Sequence, residues 1–186
     1  MTGAYFCGGS LPELLATAVL LGENDDCANT LEAVVVDKFA DTWAWTYPIC
    51  TGLAKMFAPS VDVSLGASQE DLTQGLGAET LATVSRADLV FFQHCLNEFV
   101  GNDQAMNQIE AIGRAAHDGA IFVFLDQGYY RSVTNAMRAK FFLPDPPLKH
   151  GFFDGVPQAD GQGGWLPGQY RASSLNLRAL IMRKTH

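Results

Sequence analysis

Apolar residues run along this chain in short unbroken blocks, and between the blocks apolar positions recur with helical spacing. The first block, Ala4-Tyr5-Phe6-Cys7, predicts a strand and stops at Gly8-Gly9. A helical pattern follows at 11–21, with Pro12 in the first turn, where its missing N–H leaves no bond unmade. Gly22 and the polar run Glu23-Asn24-Asp25-Asp26 end that helix. Ala33-Val34-Val35-Val36 is continuous rather than alternating, which predicts a strand buried on both faces and ending at Asp37. A helix at 41–57 carries Trp43, Trp45 and Tyr47, and Pro48 is expected to kink or divide it. Residues 61–65 alternate, so a third strand there is expected to be more peripheral. A short helix at 79–84 leads to a fourth strand at 87–92. A helix at 103–116 has Asn102 as its N-cap and Gly119 beyond its end. Residues 120–125 form another unbroken apolar run, ending at Asp126. A helix at 132–141 is stopped by Pro144, Pro146 and Pro147. The chain then changes character. About 151–171 it is rich in Gly, Pro and Asp and reads as a long loop, and 175–183 reads as a last strand.

Buried strands that alternate with helices five times predict an α/β fold: a doubly wound, mostly parallel, Rossmann-like sheet with an antiparallel last strand. In such a sheet, ligands are expected at the carboxyl ends of the strands, at the switch point beside the first strand. The 186 residues suit one domain, 1–186, with a sizeable core.

Composition narrows the partners. A net charge of −8 and only 12 Lys and Arg disfavour free nucleic acid as an unaided substrate. The cysteines at 7, 27, 50 and 95 form neither a CxxC pair nor a compact disulfide framework, so no metal site is expected and a reducing compartment fits best. No stretch approaches the about 20 apolar residues of a membrane span. The expectation is a soluble intracellular protein, cytoplasmic or organellar.

Three strand ends carry residues suited to one extended ligand. Gly8-Gly9 lets a ligand approach the backbone, and the helix beyond offers free N–H groups, although two glycines also make an ordinary tight turn. Asp37 stands 28 positions after Gly9, where an acid can accept both hydroxyls of a ribose, or merely be solvated. Gln93-His94-Cys95-Leu96-Asn97-Glu98 leaves the fourth strand and is placed to line a pocket, although His94 also suits a core and Asn97-Glu98 a solvated turn.

These segments resemble, in order, the motifs of class I S-adenosyl-L-methionine (SAM) dependent methyltransferases. Tyr5-Phe6-Cys7-Gly8-Gly9-Ser10-Leu11-Pro12-Glu13-Leu14 is similar to the glycine-rich first motif in its GGGPGSE form. Val35-Val36-Asp37 with Trp43 resembles the second motif, and Ala87-Asp88-Leu89-Val90 with Asn97-Glu98 the fourth. Residues 119–126 resemble the fifth-strand element, and 177–184 the closing strand. Within the family the likeness is loosely to rRNA methyltransferases and mitochondrial ribosome-associated methyltransferase-like proteins. The resemblance implies SAM as cofactor, held by Cys7, Gly8, Gly9, Glu13, Asp37, Trp43, Ser68, Gln69 and Gln93, with His94 or Glu98 as general base. Cys7 and Leu11 stand where the motif has glycines. If the turn binds SAM, Leu11 must point away from the methionine moiety and into the helix packing. Only Met1-Thr2-Gly3 precede the first strand, so the family's preceding helix has no counterpart. That implies a fragment, a processed form, or a pared-down domain that leans on a partner.

Two functions follow from this reading. The first is methyl transfer from SAM to an unidentified acceptor. The second is a non-catalytic methyltransferase-like subunit of a larger assembly, ribonucleoprotein or organellar. An NAD-dependent oxidoreductase would share the logic of Asp37, but the GxGxxG fingerprint fails and little chain is left for a substrate domain.

Overall fold

The computed structural model describes residues 1–24, 26–99, 101–127, 149–154 and 176–184. Among the described residues seven strands form one sheet: β1 (Thr2–Phe6), β2 (Thr30–Val36), β3 (Asp62–Ser68), β4 (Leu89–Gln93), β5 (Ile121–Gln127), β6 (Lys149–Asp154) and β7 (Asn176–Arg183). Their order is β3-β2-β1-β4-β5-β7-β6. Strands β1 to β5 are parallel, and β7 lies antiparallel between β5 and β6. The mostly parallel sheet with an antiparallel last strand is thus the architecture the alternating pattern predicts.

Helices α1 (Pro12–Gly22), α2 (Ala40–Trp43), α3 (Tyr47–Phe57), α4 (Ala78–Val84), α5 (Leu96–Phe99) and α6 (Asp103–Ala115) flank the sheet. Alternation along β1 divides the core between the two faces. Ala4 and Phe6 pack with Val84, Ile109 and Ile112 on the side of α4 and α6. Tyr5 packs with Leu14, Ala18 and Ala54 on the side of α1 and α3. On the α4–α6 side, rings stack across three strands, Phe6 on Phe92 at 5.0 Å and Phe92 on Phe124 at 5.3 Å between centroids. The central strands β1, β2, β4 and β5 therefore contribute to the core on both faces, which is why their sequence runs are continuous.

The structure refines several expectations. The helix expected at 41–57 is divided, as expected of Pro48, with the break at 44–46 and the proline as the second residue of α3. A proline suits that place because first-turn N–H groups have no intrahelical partner. β3 does lie at a sheet edge, and it continues through Gly66 and Ala67 to Ser68. The front of the expected loop at about 151–171 is a strand: residues 151–154 belong to β6 and pair with β7. The rest of that loop, and the helix expected at 132–141, lie outside the described residues. No helix among the described residues is long and apolar enough to cross a membrane.

Candidate functional site

β1 is flanked by β2 on one side and β4 on the other, so the connections leaving β1 and β4 diverge at their carboxyl ends. That divergence opens the crevice in which doubly wound sheets place ligands. The turn leaving β1 is tightly coiled. Cys7, Gly9 and Leu11 all have positive φ, at 56°, 49° and 61°. Cys7 N–H still donates to the Val36 carbonyl at 2.8 Å, and Leu11 N–H donates to the Gly8 carbonyl at 2.8 Å. A Cβ on Gly8 would sit 2.6 Å from Leu11 Cδ2 and 3.0 Å from Glu13 Oε1, so any larger residue would have to displace the buried Leu11 side chain. Leu11 itself is fully buried, in the cluster with Leu14, Leu31 and Val35. Its side chain lies in the packing beneath α1. The Trp43 indole covers Gly9, with Cε2 3.6 Å from where a Gly9 Cβ would stand.

Asp37 ties the strand ends together. Its Oδ2 accepts the Gly9 N–H at 3.1 Å and its Oδ1 accepts the Phe39 N–H at 2.7 Å. Its own N–H donates to the Ser68 carbonyl at 3.1 Å. The carboxylate is buried, yet it offers about four lone-pair sites, of which these bonds occupy two.

Beyond β3, Ser68 Oγ donates to Glu70 Oε1 at 2.7 Å. Glu70 also accepts the Thr80 hydroxyl at 2.5 Å and the Gly77 N–H at 2.7 Å. Burial alone would raise the Glu70 carboxyl, but the bonds from Thr80, Gly77 and Ser68 outweigh it and hold the group below its usual value. The Gln69 amide, turned to satisfy both partners, donates to Asp41 at 2.6 and 3.2 Å. Lys38, Phe39, Gln69, Glu70 and Asp71 line an open cleft of about 450 Å³.

On the β4 side, His94 is exposed and has φ 54°. Its N–H donates to the Leu125 carbonyl at 2.9 Å, which holds the strained turn in place. Glu98 is also exposed, 4.0 Å from Lys38 Nζ. The buried carboxylate of Asp126 accepts the Leu96 N–H at 2.8 Å and so anchors the start of α5. Cys95 is buried, and burial, then the neighbouring Cys7 thiol, pushes its thiol well above the ordinary range. It is not an activated nucleophile.

Glu13 and Gln93 meet beneath the glycine turn. Glu13 is 6% exposed, and burial raises its carboxyl to about 7. The half-buried Gln93 amide lies against it, with the nitrogen 3.1 Å from Oε1 when turned to donate.

The structure therefore brings Cys7, Gly8, Gly9, Glu13, Asp37, Trp43 and Gln93 together around the ends of β1, β2 and β4. Ser68 and Gln69 stand at the end of β3, and His94 and Glu98 on the outer rim beyond β4. The sequence reading missed Phe39, Glu70 and Asp71. Their signal was a place within two or three residues of a strand end, which is visible only once strand limits are known.

No family model matches the sequence, and no curated protein does. Solved structures do. Over 100% of this chain and 88% of its own, the 16S rRNA (adenine(1408)-N(1))-methyltransferase from Catenulisporales acidiphilia superposes with a TM-score of 0.55 at 12% identity. The N-methyltransferase NodS from Bradyrhizobium japonicum WM9 superposes with a TM-score of 0.51 at 12% identity, over 100% of this chain and 86% of its own. NodS in complex with S-adenosyl-L-homocysteine gives 0.52, again at 12% identity, over 100% and 78%. The fold is that of the class I SAM-dependent methyltransferases.

Proposed function

We propose that this chain acts as one domain, 1–186, that binds SAM across the ends of β1, β2 and β3 and directs its methyl group to an acceptor. The observation that carries this reading is the placement of Asp37: buried at the end of β2, bonded to the Gly9 amide, with lone pairs left for two ribose hydroxyls. The local structure fits such a ligand. Gly8 and Gly9 keep the turn beside the crevice free of side chains of their own, Leu11 is withdrawn into the core, and Trp43, Ser68 and Gln69 border the site.

SAM supplies an already activated methyl group, so the protein's task is alignment and exclusion of water. Asp37 fixes the ribose, and Cys7, Glu13 and Gln93 border the part of the ligand that reaches β4. His94 and Glu98, exposed on the rim, are placed to take a proton from an arriving acceptor. The net charge of −8 weighs against free nucleic acid as that acceptor.

A specific observation favours the second reading, a methyltransferase-like subunit of an assembly. Phe39, Trp45, Ile49, Met56 and Phe57 are all more than half exposed around α2 and α3. Calorimetric titration with SAM and S-adenosylhomocysteine separates the two. Saturable one-site binding supports the enzyme, and a folded chain that binds neither supports the subunit.

A further inference from the structure

Helix α3 carries apolar side chains on two opposite faces. Cys50, Ala54 and, just past its end, Ala58 are buried toward the sheet. On the other side Trp45, just ahead of the helix, is 68% exposed and Met56 is 70% exposed, with Ile49 more than half open between them. Positions 45, 49, 52 and 56 lie on one narrow stripe of a helix surface. A surface helix is normally polar toward solvent, and one that is apolar all round is a buried helix. The outer face of α3 therefore has the character of an interior surface.

Gly52 stands in the middle of that face. Nothing within one chain demands glycine there. Its φ is not positive, and an added Cβ would meet nothing within 4 Å. In a helix interior glycine costs about 1 kcal/mol relative to alanine. What it leaves is room for a neighbour on the outside to come close.

The order of the four positions identifies that neighbour. A second α3 can lie antiparallel on the first, about a two-fold axis level with the peptide between Cys50 and Thr51. Ile49 then comes level with Gly52 of the other copy, and Trp45 with its Met56. Each contact is made twice, as two-fold symmetry requires. A branched side chain meets bare backbone, and an indole meets a thioether, a contact that sulfur favours.

Charge and area agree with a second copy. Two chains of net charge −8 repel, but no acid stands between Asp41 and Asp62, and the one charge in that span is the cation Lys55. With exposed Pro48 and flanking Phe57, the face offers on the order of 500 Å² of open apolar surface. A stable dimer buries about 800 Å² on each copy, about 65% of it apolar when the two chains are alike.

We propose that the outer face of α3 binds a second copy of this chain, forming an antiparallel two-fold dimer in which Ile49 fills the space left at Gly52 of the other copy. The inference goes beyond the SAM-binding reading and does not depend on it.

The test is sedimentation velocity on the full chain from about 1 to about 100 µM, the weak end of what interfaces of this size give. A monomer–dimer equilibrium is expected. It should strengthen between about 0.05 and about 0.5 M salt, because screening weakens the repulsion. Gly52→Leu puts a better helix former in α3 and adds apolar surface, yet it fills the hole, so dimerisation should weaken at least about 10-fold. Ile49→Gly combined with Gly52→Ile exchanges knob and hole without changing composition, and should return dimerisation toward the wild-type strength. Circular dichroism checks that each variant is folded. A wild-type chain still monomeric at about 100 µM overturns the proposal. Tighter association of Gly52→Leu overturns it too, because a patch that binds by apolar area alone gains from the leucine. So does a folded double variant as weak as Gly52→Leu. Monomers that sediment with phosphatidylcholine vesicles would put a membrane on this face and not a second copy. The wild-type and Gly52→Leu comparison stands even if the double variant fails to fold.

Discussion

Gly9 donates its backbone N–H to Asp37 Oδ2 at 3.1 Å, and this one bond fastens the turn after β1 to the end of β2. It acts with the bond from the Cys7 N–H to the Val36 carbonyl, which joins the same two strand ends. The same carboxylate fixes Phe39 through Oδ1, so it sets the path of the chain after both β1 and β2.

Asp37→Ala is therefore expected to act twice. Losing the bonds to Gly9 and Phe39 should lower stability by about 1.5–3 kcal/mol, the range for bonds to a charged group. Affinity for SAM should fall by a comparable amount in protein that remains folded. Urea denaturation and calorimetry measure the two effects separately. Unchanged affinity in a folded variant removes Asp37 from the site.

Leu11 and Cys7 share the left-handed backbone but not the same packing. Replacing either with glycine relieves about 1–2 kcal/mol of strain. For Leu11, which is fully buried, the lost side chain costs about 3–5 kcal/mol, so burial wins. Leu11→Gly should be clearly destabilised and should gain no affinity for SAM. Cys7→Gly, half-buried, should stay within about 1 kcal/mol of wild type, since relieved strain and the lost small side chain nearly cancel. Chemical denaturation of the pair decides the ranking. Gain of SAM binding in Leu11→Gly, with none in the wild type, would show that the leucine blocks the pocket.

Glu13 makes stability depend on pH with a definite sign. Its carboxyl is raised in the folded chain, from 4.5 to about 7, so the folded state binds the proton more tightly than the unfolded chain. The stabilisation is fully present below about pH 4.5 and is lost as pH rises to about 7, a span worth about 3 kcal/mol. Glu13→Gln should remove this loss, so that the variant overtakes the wild type as pH climbs. Parallel stability curves for the two proteins across that window would refute a raised Glu13.

The strained, exposed His94 allows a clean test of the base. Asparagine tolerates positive φ better than most residues, so His94→Asn should fold with an unchanged melting temperature. If His94 takes the acceptor's proton, methyl transfer should fall by about 100-fold or more. Glu98→Gln is the companion, and since its contact with Lys38 is exposed, little stability is at stake. Undiminished transfer in both variants would leave the reaction without either base.

Much of the fold was legible because the central strands are buried on both faces. Ala33-Val34-Val35-Val36 and the run ending at Asp126 could hardly be anything else. Ends were harder to read. β2 begins at Thr30, where Thr30 and Glu32 are exposed beside buried Leu31, and β3 runs on through Gly66, which carries no side chain to show a pattern. β6 was hidden because Lys149-His150-Gly151-Phe152-Phe153-Asp154 does not alternate and opens a Gly/Pro-rich stretch. At the site, Asp37 and the glycines were visible because each ends a strand. The meeting of Glu13 with Gln93 was not, since 80 positions separate them and only the adjacency of β1 and β4 joins them.

Cys7, Leu11 and His94, the non-glycine residues with positive φ among those described, all stand where β1 and β4 give way to loops. The bends there are imposed by the surrounding hydrogen bonds and by a buried leucine, not granted by absent side chains.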